Sequence, residues 1–532
     1  MHHDGVDPDV TTLLAHVIDG AGLRKEHPPE VMREVEDLVA DPGTGDPALE
    51  DWTSRPFVTI DGPTSRDLDQ ALFVERAGGV FRVHYAIADA AHFAPAGSAT
   101  FREALARGAS YYLPSMSVPM LPRELSEGVA SLNEGVRRRA LVFSTDVSDD
   151  GRARATAVTR AVIRSAKKLA FGEVQAFYDE GGGPLASAPF AESLRMLREV
   201  GRIRVADLAD RDVARFRRRE TSLVVEGGRL VAKSSPRLDV ELYNEQLSIL
   251  CNREGARLLY AGEGPRVQPI YRVHPAPESE RLADFAALTQ AIARAQKLPA
   301  DPWAWAGPTS SKTLAAYLAA LPDDAAQLGV IRAIHRQAIM VNARSSFAVA
   351  AQGHFGVGAD LYARFSAPMR EIVGVFCHKE LCELLDGKPA TDAERRADEE
   401  LRALVVEAAN ASKQTQRKLN DLVSRIALDQ AFEADLARPE GERPLHAGTV
   451  MGLSSSKVHV ELDSPSLDVK LYFYDLGQLM GGAWLELEEG GASVRVRGEG
   501  RVVARVGDRV ELSVVGREKR TDRWVLRPVG IR

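Results

Sequence analysis

Three aspartates lie within nine consecutive positions of the chain, at Asp61, Asp67 and Asp69. The strand-like residues FVTI precede them, a loop rich in Pro, Ser and Thr carries them, and the apolar residues ALFV follow. Carboxylates on one loop can converge on a hard cation such as Mg²⁺, which prefers oxygen ligands and often shares its site with substrate phosphates. Such an ion orients or activates water for in-line attack on a phosphate. A solvated acidic loop, or aspartates that cap turns, is the alternative that this spacing leaves open.

The distribution of charge keeps a nucleic-acid ligand open, although the net charge is −7. Residues 1–56 hold 13 acidic and 4 basic residues, whereas residues 493–532 hold 11 basic and 5 acidic residues. Six more basic residues and no acidic one lie between Arg152 and Lys168. Such positive segments are compatible with RNA or DNA binding and equally with solvated surfaces. The chain has no run of about 18 apolar residues, so we expect no membrane-spanning helix.

The elements that must position the aspartates divide the chain into three sections. Residues 1–56 have helical apolar spacing at 11–22 and 29–40, which predicts a small helical module. Residues 57–436 begin with strands joined by a Gly78-Gly79 hairpin turn and continue with helices. The helices are predicted at 240–261, 277–297, 311–320, 326–351 and 370–386. Short, regularly spaced strands over 445–532 predict a small all-β barrel. The predicted fold class is therefore α+β.

The aspartate segment and four later segments resemble sequence blocks of one enzyme family. TIDGPTSRDLDQALF (59–73) resembles the opening catalytic motif of the RNase II / RNase R (RNB) exoribonucleases. The later blocks follow in the family's order, at 84–135 (HYAIAD to SLNEG), 243–256 (YNEQLSILCNREGA), 271–282 (YRVHPAPESERL) and 353–378 (GHFGVGADLYARFSAPMREIVGVFCH). The chain is identified as a member of this family on these blocks together.

The resemblance implies an activity and a metal site. Family members are processive, hydrolytic 3′→5′ exoribonucleases that degrade single-stranded RNA to nucleoside 5′-monophosphates with Mg²⁺. Asp61, Asp67, Asp69 and Gln70 match the family's metal positions, and Asp67 and Asp69 also match catalytic positions. A metal phosphohydrolase that acts on small nucleotides is a weaker alternative, because such a substrate needs no separate nucleic-acid-binding barrel.

Two further residues match positions that hold the RNA in this family. Tyr112, in YYLP, matches a tyrosine that stacks near the terminal base, and stacking on an aromatic ring suits an enzyme that must accept every base. Arg370, in SAPMRE, matches the arginine presented to the scissile phosphate. Its guanidinium offers paired donors to phosphate oxygens and stays charged throughout the reaction. A core position for Tyr112 is the alternative.

Three residues depart from the family pattern near this site. The family has a fourth carboxylate directly after the Asp69 position, where this chain has Gln70, and an amide brings no negative charge. Glu371 stands where the family usually has a second basic residue. Gln416 is the nearest match to a late glutamate that supports the site. These changes keep a second hypothesis open, in which the chain is a catalytically weakened relative that binds RNA.

The two ends of the chain also carry expectations. Residues 1–56 leave no room for the two cold-shock barrels of bacterial family members, and their acidity favours a brace over an RNA-binding helix-turn-helix element. Residues 445–532 resemble an S1 domain, an OB-type barrel for single-stranded nucleic acid. Lys457, Lys470 and Tyr472 are its candidate RNA contacts, together with Phe473. We expect a monomer that acts on single-stranded RNA in the cytoplasm.

Overall fold

The structure is a computed structural model that describes residues 9–217, 220–262, 264, 267–387 and 390–529. Residues 1–8 of the predicted N-terminal module and residues 530–532 of the predicted barrel lie outside these ranges. Helices and several sheets are mixed along the chain, which confirms the predicted α+β class. Within the described ranges, no helix is long and apolar enough to cross a membrane.

A seven-stranded sheet forms the centre of the first half of the chain. Its order is β1-β8-β7-β4-β3-β2-β9, and its neighbours are antiparallel except for the parallel pairs β1–β8 and β2–β9. The strands up to residue 170, including a separate β5–β6 hairpin, are β1 (Glu50–Asp51), β2 (Val58–Asp61), β3 (Gln70–Ala77), β4 (Val80–Ala88), β5 (Tyr111–Leu113), β6 (Met116–Val118), β7 (Arg137–Val147), β8 (Ala153–Arg164) and β9 (Lys167–Ala170). The predicted Gly78-Gly79 turn joins β3 to β4, with positive φ at both glycines, as a tight hairpin needs.

Helices cover this sheet and carry the chain to the C-terminal strands. They are α1 (Val10–Gly20), α2 (Pro29–Ala40), α3 (Ala90–Phe93), α4 (Ala99–Arg107), α5 (Phe171–Glu180), α6 (Ala191–Asp210), α7 (Asp239–Ala261), α8 (Ser279–Ala295), α9 (Ala300–Trp303), α10 (Leu314–Ala320), α11 (Leu328–Val341), α12 (Ile372–Asp386), α13 (Asp392–Leu436) and α14 (Phe473–Leu479). Shorter helical turns are Glu124–Val129, Ala325–Gln327, Phe355–Val357 and Glu440–Glu442. The largest apolar core joins the seven-stranded sheet to α6, α7 and α12. The 59–73 segment lies on β2, β3 and the loop between them, the 243–256 segment lies on α7, and the end of the 353–378 segment lies on α12.

The N-terminal helices pack closely on the body of the protein. Val10, Leu14 and Ile18 of α1 are buried in one cluster with residues of β5, β6 and α13. Helix α2 holds the start of α4, because Glu34 accepts hydrogen bonds from the backbone N–H groups of Ala99 (2.7 Å) and Thr100 (2.8 Å). The described part of the N-terminal section is therefore packed on α4, α13 and the β5–β6 hairpin.

The remaining strands form two antiparallel pairs and two C-terminal sheets. These strands are β10 (Glu220–Glu226), β11 (Arg229–Ser235), β12 (Tyr271–Val273), β13 (Ser346–Ala348), β14 (His446–Ser454), β15 (Lys457–Leu462), β16 (Asp468–Tyr472), β17 (Leu485–Leu487), β18 (Ser493–Val496), β19 (Val502–Arg505), β20 (Arg509–Glu518) and β21 (Arg523–Val529). β10 pairs with β11, and β12 pairs with β13. A five-stranded sheet of order β16-β15-β14-β20-β21 and the three-stranded sheet β17-β18-β19 share one apolar core.

Two helical predictions need correction. The helix predicted over 326–351 ends at Val341, because Ser346–Ala348 pairs with β12 as a strand instead. Helix α13 has 45 residues and was missed, although Leu419, Leu422, Val423 and Ile426 have helical spacing; only nine of its residues are buried.

Candidate active site

The centre of the site is a contact between Asp69 and Arg370, 301 residues apart in the chain. The side chain of Asp69 is fully buried just before β3, where Oδ2 accepts from Arg370 Nε at 2.6 Å. Oδ1 accepts from the backbone N–H of Met369 at 2.9 Å. Burial raises the pKa of Asp69 to about 6, although Arg370 and the Met369 amide act to lower it. Asp69 in turn raises the pKa of Arg370, which stays fully protonated.

The chain presents Arg370 from a turn that is fixed on both sides. The turn lies just before α12, and the N–H of Arg370 donates to the carbonyl of Ala367 at 3.2 Å. The Arg370 carbonyl accepts from the N–H of Ser110 at 2.9 Å, which ties the turn to the segment before β5. Behind the turn, Gly374 of α12 leaves no room for a side chain, because a Cβ there would lie 2.5 Å from Cα of Pro368.

A buried asparagine holds the loop that leads into this turn. Asn252 of α7 is fully buried, and its Oδ1 accepts from the N–H groups of Phe365 (2.7 Å) and Ser366 (3.1 Å). Its Nδ2 donates to the hydroxyls of Tyr362 (3.1 Å) and Ser366 (3.0 Å). All the hydrogen-bonding capacity of this amide is used on the 362–366 loop. Helix α7, which carries the 243–256 segment, therefore positions the loop before Arg370.

Tyr112 and Asp67 form the second contact of the site. The Tyr112 hydroxyl donates to Oδ2 of Asp67 at 3.0 Å. Tyr112 is 46% exposed, so its ring is accessible and is not part of the core. Asp67 also acts electrostatically on both Asp69 and Arg370, which places Asp67, Asp69, Tyr112 and Arg370 in one cluster.

Asp61 and Gln70 have other partners. Oδ1 of Asp61, at the end of β2, accepts from the N–H of Gly62 (2.7 Å) and the hydroxyl of Ser65 (3.0 Å). Oε1 of Gln70, at the start of β3, accepts from the hydroxyl of the buried Tyr85. The amide oxygen of Gln70 is thus engaged on the protein, which reduces its capacity to bind a metal ion.

The three aspartates are not drawn into a closed ligand set. Among the described residues, the grouping of Asp, Glu, His and Cys ligand atoms within 4.8 Å of one another consists of Glu380, Glu383 and Asp398. That grouping surrounds the ammonium of Lys379, which lies 2.9, 2.8 and 2.8 Å from the three carboxylates. We read it as an ion-pair network, because the lysine occupies the place that a cation would take.

The donor chemistry at Asp61, Asp67 and Asp69 nevertheless fits Mg²⁺, since it consists of hard oxygen atoms. The hydrogen bonds of Asp61 use Oδ1 and that of Asp67 uses Oδ2. The other oxygen of each of these two carboxylates has no hydrogen bond within the described part of the chain. Two aspartates therefore keep an oxygen for an ion, while Asp69 already satisfies Arg370.

Glu371 lies among cations, which explains how an acid is tolerated at this position. Oε2 of Glu371 accepts from Arg364 Nε at 2.9 Å. Burial acts to raise the pKa of Glu371, but Arg364, Lys413 and Arg272 together bring it below its ordinary value. Burial first, and Arg272 second, lower the pKa of Lys413 to about 7. The Glu371 charge is thus compensated locally, away from the Asp69–Arg370 contact.

The histidines in the matched blocks have structural surroundings. His274 accepts from the N–H of Gly356 at Nδ1 (3.0 Å), so its Nε2 donates to the carbonyl of Ala343 (2.7 Å). Burial lowers the pKa of His354 to about 3 and that of His378 to about 4. Both are therefore neutral imidazoles at physiological pH.

The candidate RNA contacts of the C-terminal section share one face of the five-stranded sheet. Lys457 of β15 pairs in register with Tyr472 of β16, and His459 pairs with Lys470. The guanidinium of Arg523 lies 4.5 Å from the Tyr472 ring centre and the ammonium of Lys457 lies 5.2 Å from it. Phe473, by contrast, is buried in the core of this section, so the structure does not place it on this face.

The residue that sequence reasoning placed least well is Gln416. It was expected only as a weak substitute for a glutamate, but its side chain pairs with the backbone of Tyr112. Tyr85, the partner of Gln70, was also missed. Neither contact has a local sequence signal, because each joins elements that are distant in the chain.

Comparison with known proteins gives the family. The RNB domain model matches residues 49–387. The chain is 30% identical over 402 residues to ribonuclease R of Vibrio cholerae, which covers 74% of this chain and 46% of that protein. It is 28% identical over 511 residues to exoribonuclease 2 of Erwinia tasmaniensis, which covers 93% and 73%. The match thus spans less than half the length of the ribonuclease R relative.

A solved structure shows the same fold over the chain. RNase R of Mycoplasma genitalium, in complex with ribose-methylated single-stranded RNA, superposes with a TM-score of 0.85 at 20% identity. The superposition covers 99% of this chain and 79% of the other. With the domain match over more than half of its length, the chain belongs to the RNB family.

Proposed function

We propose that this member of the RNB family is a hydrolytic 3′→5′ exoribonuclease that processively degrades single-stranded RNA to nucleoside 5′-monophosphates with Mg²⁺. The observation that carries the proposal is the contact of the buried Asp69 with Arg370, in one cluster with the hydrogen bond between Tyr112 and Asp67. It combines a carboxylate, a fixed cation and an accessible aromatic ring, which are the parts needed to cut a phosphodiester at a chain end. The names of the Vibrio and Erwinia relatives support the same activity.

Arg370 is the group that would contact the scissile phosphate. Its Nε is bound to Asp69, which fixes the plane of the guanidinium and leaves the two Nη groups to reach phosphate oxygens. A pentacovalent transition state gathers negative charge on those oxygens, and a fixed cation stabilises it without reorganising. Asp69 therefore acts partly by orienting Arg370.

Asp61 and Asp67 would hold Mg²⁺ through the oxygens that have no hydrogen bond within the described residues. Asp69 would have to contribute a second lone pair of an oxygen already bound by Arg370 or the Met369 amide, and Gln70 one of an amide oxygen already bound by Tyr85. When bound, the ion would supply activation of water and stabilisation of the phosphate charge. Asp67 can keep its hydrogen bond to Tyr112 in this role, since only one of its oxygens is engaged. These contacts support catalytic roles for Asp67, Asp69 and Arg370.

Tyr112 would bind the terminal base of the RNA. Its exposed ring offers a stacking surface while its hydroxyl is held by Asp67, so the base would be fixed close to the carboxylates. Stacking accepts every base, which suits degradation without sequence preference.

The C-terminal face would bind RNA upstream of the site. Lys457, Lys470 and Tyr472 combine cations for the phosphate backbone with an aromatic ring, as single-strand binders do. We also propose that the chain divides into domains at 1–56, 57–436 and 445–532. We further propose that the protein is a monomer and that it acts in the cytoplasm.

A gel assay on 5′-labelled single-stranded RNA, with Mg²⁺ or with EDTA, tests the proposal. Conversion to a short labelled remnant without intermediates, seen only with Mg²⁺, supports it. RNA that stays intact but shifts on a native gel would contradict hydrolysis and favour the non-catalytic, RNA-binding alternative that Gln70 suggests.

A further inference from the structure

Both backbone groups of Tyr112 are paired by one side chain of α13. The N–H of Tyr112 donates to Oε1 of Gln416 at 3.1 Å, and Nε2 of Gln416 donates to the Tyr112 carbonyl at 3.0 Å. The same Nε2 donates to Oδ1 of Asn420 at 2.8 Å, one turn further along the helix. The Gln416 amide thus continues the hydrogen-bonding pattern of β5 as a neighbouring strand would.

Only an amide satisfies this geometry. Tyr112 lies opposite Ser117 in the β5–β6 hairpin, and its own backbone groups point outward to α13. Those groups need one acceptor and one donor, which an amide provides, whereas a carboxylate offers acceptors alone. A glutamate here would set a charged oxygen against the Tyr112 carbonyl.

A second amide on the same helix repeats the arrangement. Oδ1 of Asn410 accepts from the N–H of Phe347 at 2.9 Å, and its Nδ2 donates to the Phe347 carbonyl at 3.0 Å. Phe347 belongs to β13, another short strand with an open edge. Helix α13 therefore holds two separate strand edges by side-chain amides.

The position of the β5 backbone determines where the Tyr112 ring lies. Tyr111 and Leu113 face the opposite side of the strand and are buried against α1 and α13. Tyr112 alone of the three points to the site and reaches Asp67. A shift of β5 along or away from α13 would therefore move the ring relative to Asp67 and Arg370.

We propose that Gln416 is a positioning residue that sets the place of the Tyr112 ring and hence the grip on the RNA terminus. The inference rests on the proposed function in that the ring is taken to bind RNA. Gln416 acts through Tyr112, since its hydrogen bonds within the described residues go to Tyr112 and Asn420. The glutamine can therefore take the place of the glutamate that the family has at this position, because its neutral amide fixes the ring by hydrogen bonds.

The experiment is a double-mutant cycle of Gln416→Glu and Tyr112→Ala. RNA binding is measured by fluorescence anisotropy in EDTA, and KM and kcat are measured separately in Mg²⁺. Gln414→Glu is the matched control, because Gln414 is exposed on the same helix and the change adds the same charge. Gln416→Met, which removes both hydrogen bonds without adding charge, serves as the second variant if Gln416→Glu melts early.

The expected result is that Gln416→Glu and Gln416→Met weaken RNA binding and raise KM about tenfold. This corresponds to the loss of part of the stacking of one base on the Tyr112 ring. kcat changes less than about threefold, because the catalytic groups are untouched. Gln414→Glu matches the unsubstituted protein. In the Tyr112→Ala background the Gln416 substitutions add nothing further, because the ring that they position is gone.

Two results would overturn the inference. One is a Gln416 variant that binds RNA as tightly as Gln414→Glu does. The other is full additivity with Tyr112→Ala, which would mean that Gln416 acts elsewhere. A protein that binds RNA without hydrolysing it would refute the proposed function, yet the binding cycle would still decide the role of Gln416. A protein that does not bind RNA at all would refute both.

Discussion

The Asp69–Arg370 ion pair should respond unequally to the loss of its two members. The side chain of Asp69 is fully buried, whereas that of Arg370 is 36% exposed. Removing the acid leaves a cation that water can reach, and removing the cation leaves a buried carboxylate. We therefore expect Asp69→Asn to leave stability nearly unchanged and Arg370→Gln to lower it, while both abolish hydrolysis.

The size of the difference in stability between the two variants follows from the pKa of Asp69. Burial raises this pKa from 3.8 to about 6, so the folded state binds the proton more tightly than the unfolded state does. Above that pKa the ionised form costs the fold on the order of 3 kcal/mol, at about 1.4 kcal/mol per pKa unit. Asp69→Asn removes this cost but loses a charge-assisted hydrogen bond of about 1.5–3 kcal/mol, so the two nearly cancel.

Arg370→Gln removes the compensating cation and leaves the cost of the buried carboxylate. Breaking a buried pair in this way typically costs about 3–5 kcal/mol, and the partial exposure of Arg370 places the expected value near 3 kcal/mol. For a section of the size of residues 57–436, that corresponds to a melting temperature about 4 °C lower, given the usual unfolding entropy per residue.

Melting temperatures in EDTA at pH 7.5, with RNA hydrolysis in Mg²⁺, measure both effects. Asp421→Asn is the matched control, because Asp421 is exposed on α13 and the chemical change is the same. A larger loss of stability in Asp69→Asn than in Arg370→Gln would refute the reasoning about the buried charge. Substantial hydrolysis by pure Asp69→Asn would refute its catalytic role.

Three further predictions concern residues away from this pair. Asn252→Leu leaves the buried N–H groups of Phe365 and Ser366 without acceptors and should cost roughly 4 kcal/mol, measurable as a lower melting temperature; an unchanged melting temperature would contradict the assigned role. Because burial lowers the pKa of His378 to about 4, the unfolded state binds the proton first, so the free energy of unfolding should fall by up to about 3 kcal/mol between pH 6.5 and 4. His378→Gln should flatten that part of the stability curve, and an identical curve would refute the assignment. Lys470→Ala should reduce the salt dependence of RNA binding by about one counterion, and an equal slope would mean that this face does not hold phosphate.

The local parts of the site were accessible to sequence reasoning, and its long-range contacts were not. The three aspartates at 61, 67 and 69, and the strands around them, can be recognised from the local sequence. The partner of Asp69 lies 301 residues further on, and no periodicity connects the two. Only the resemblance to the family brought Arg370 into the predicted site.

The failures of the helix prediction have physical causes. The pattern over 326–351 stays apolar past Val341, but pairing with β12 makes Ser346–Ala348 a strand, so tertiary contacts override local propensity. The long α13 was missed even though apolar residues recur along it with helical spacing, and only nine of its 45 residues are buried. Its two amide contacts are equally invisible, because a glutamine that pairs with a distant backbone looks like any surface glutamine.

The central claim is that this site removes nucleotides from the 3′ end of RNA, and its most direct test compares one RNA labelled at either end. With Mg²⁺, the account predicts that the 3′ label appears at once as a nucleoside 5′-monophosphate, while the 5′ label remains on a short remnant. Neither product should form with Asp69→Asn. Internal fragments from both labels, or early release of the 5′ label, would contradict the account.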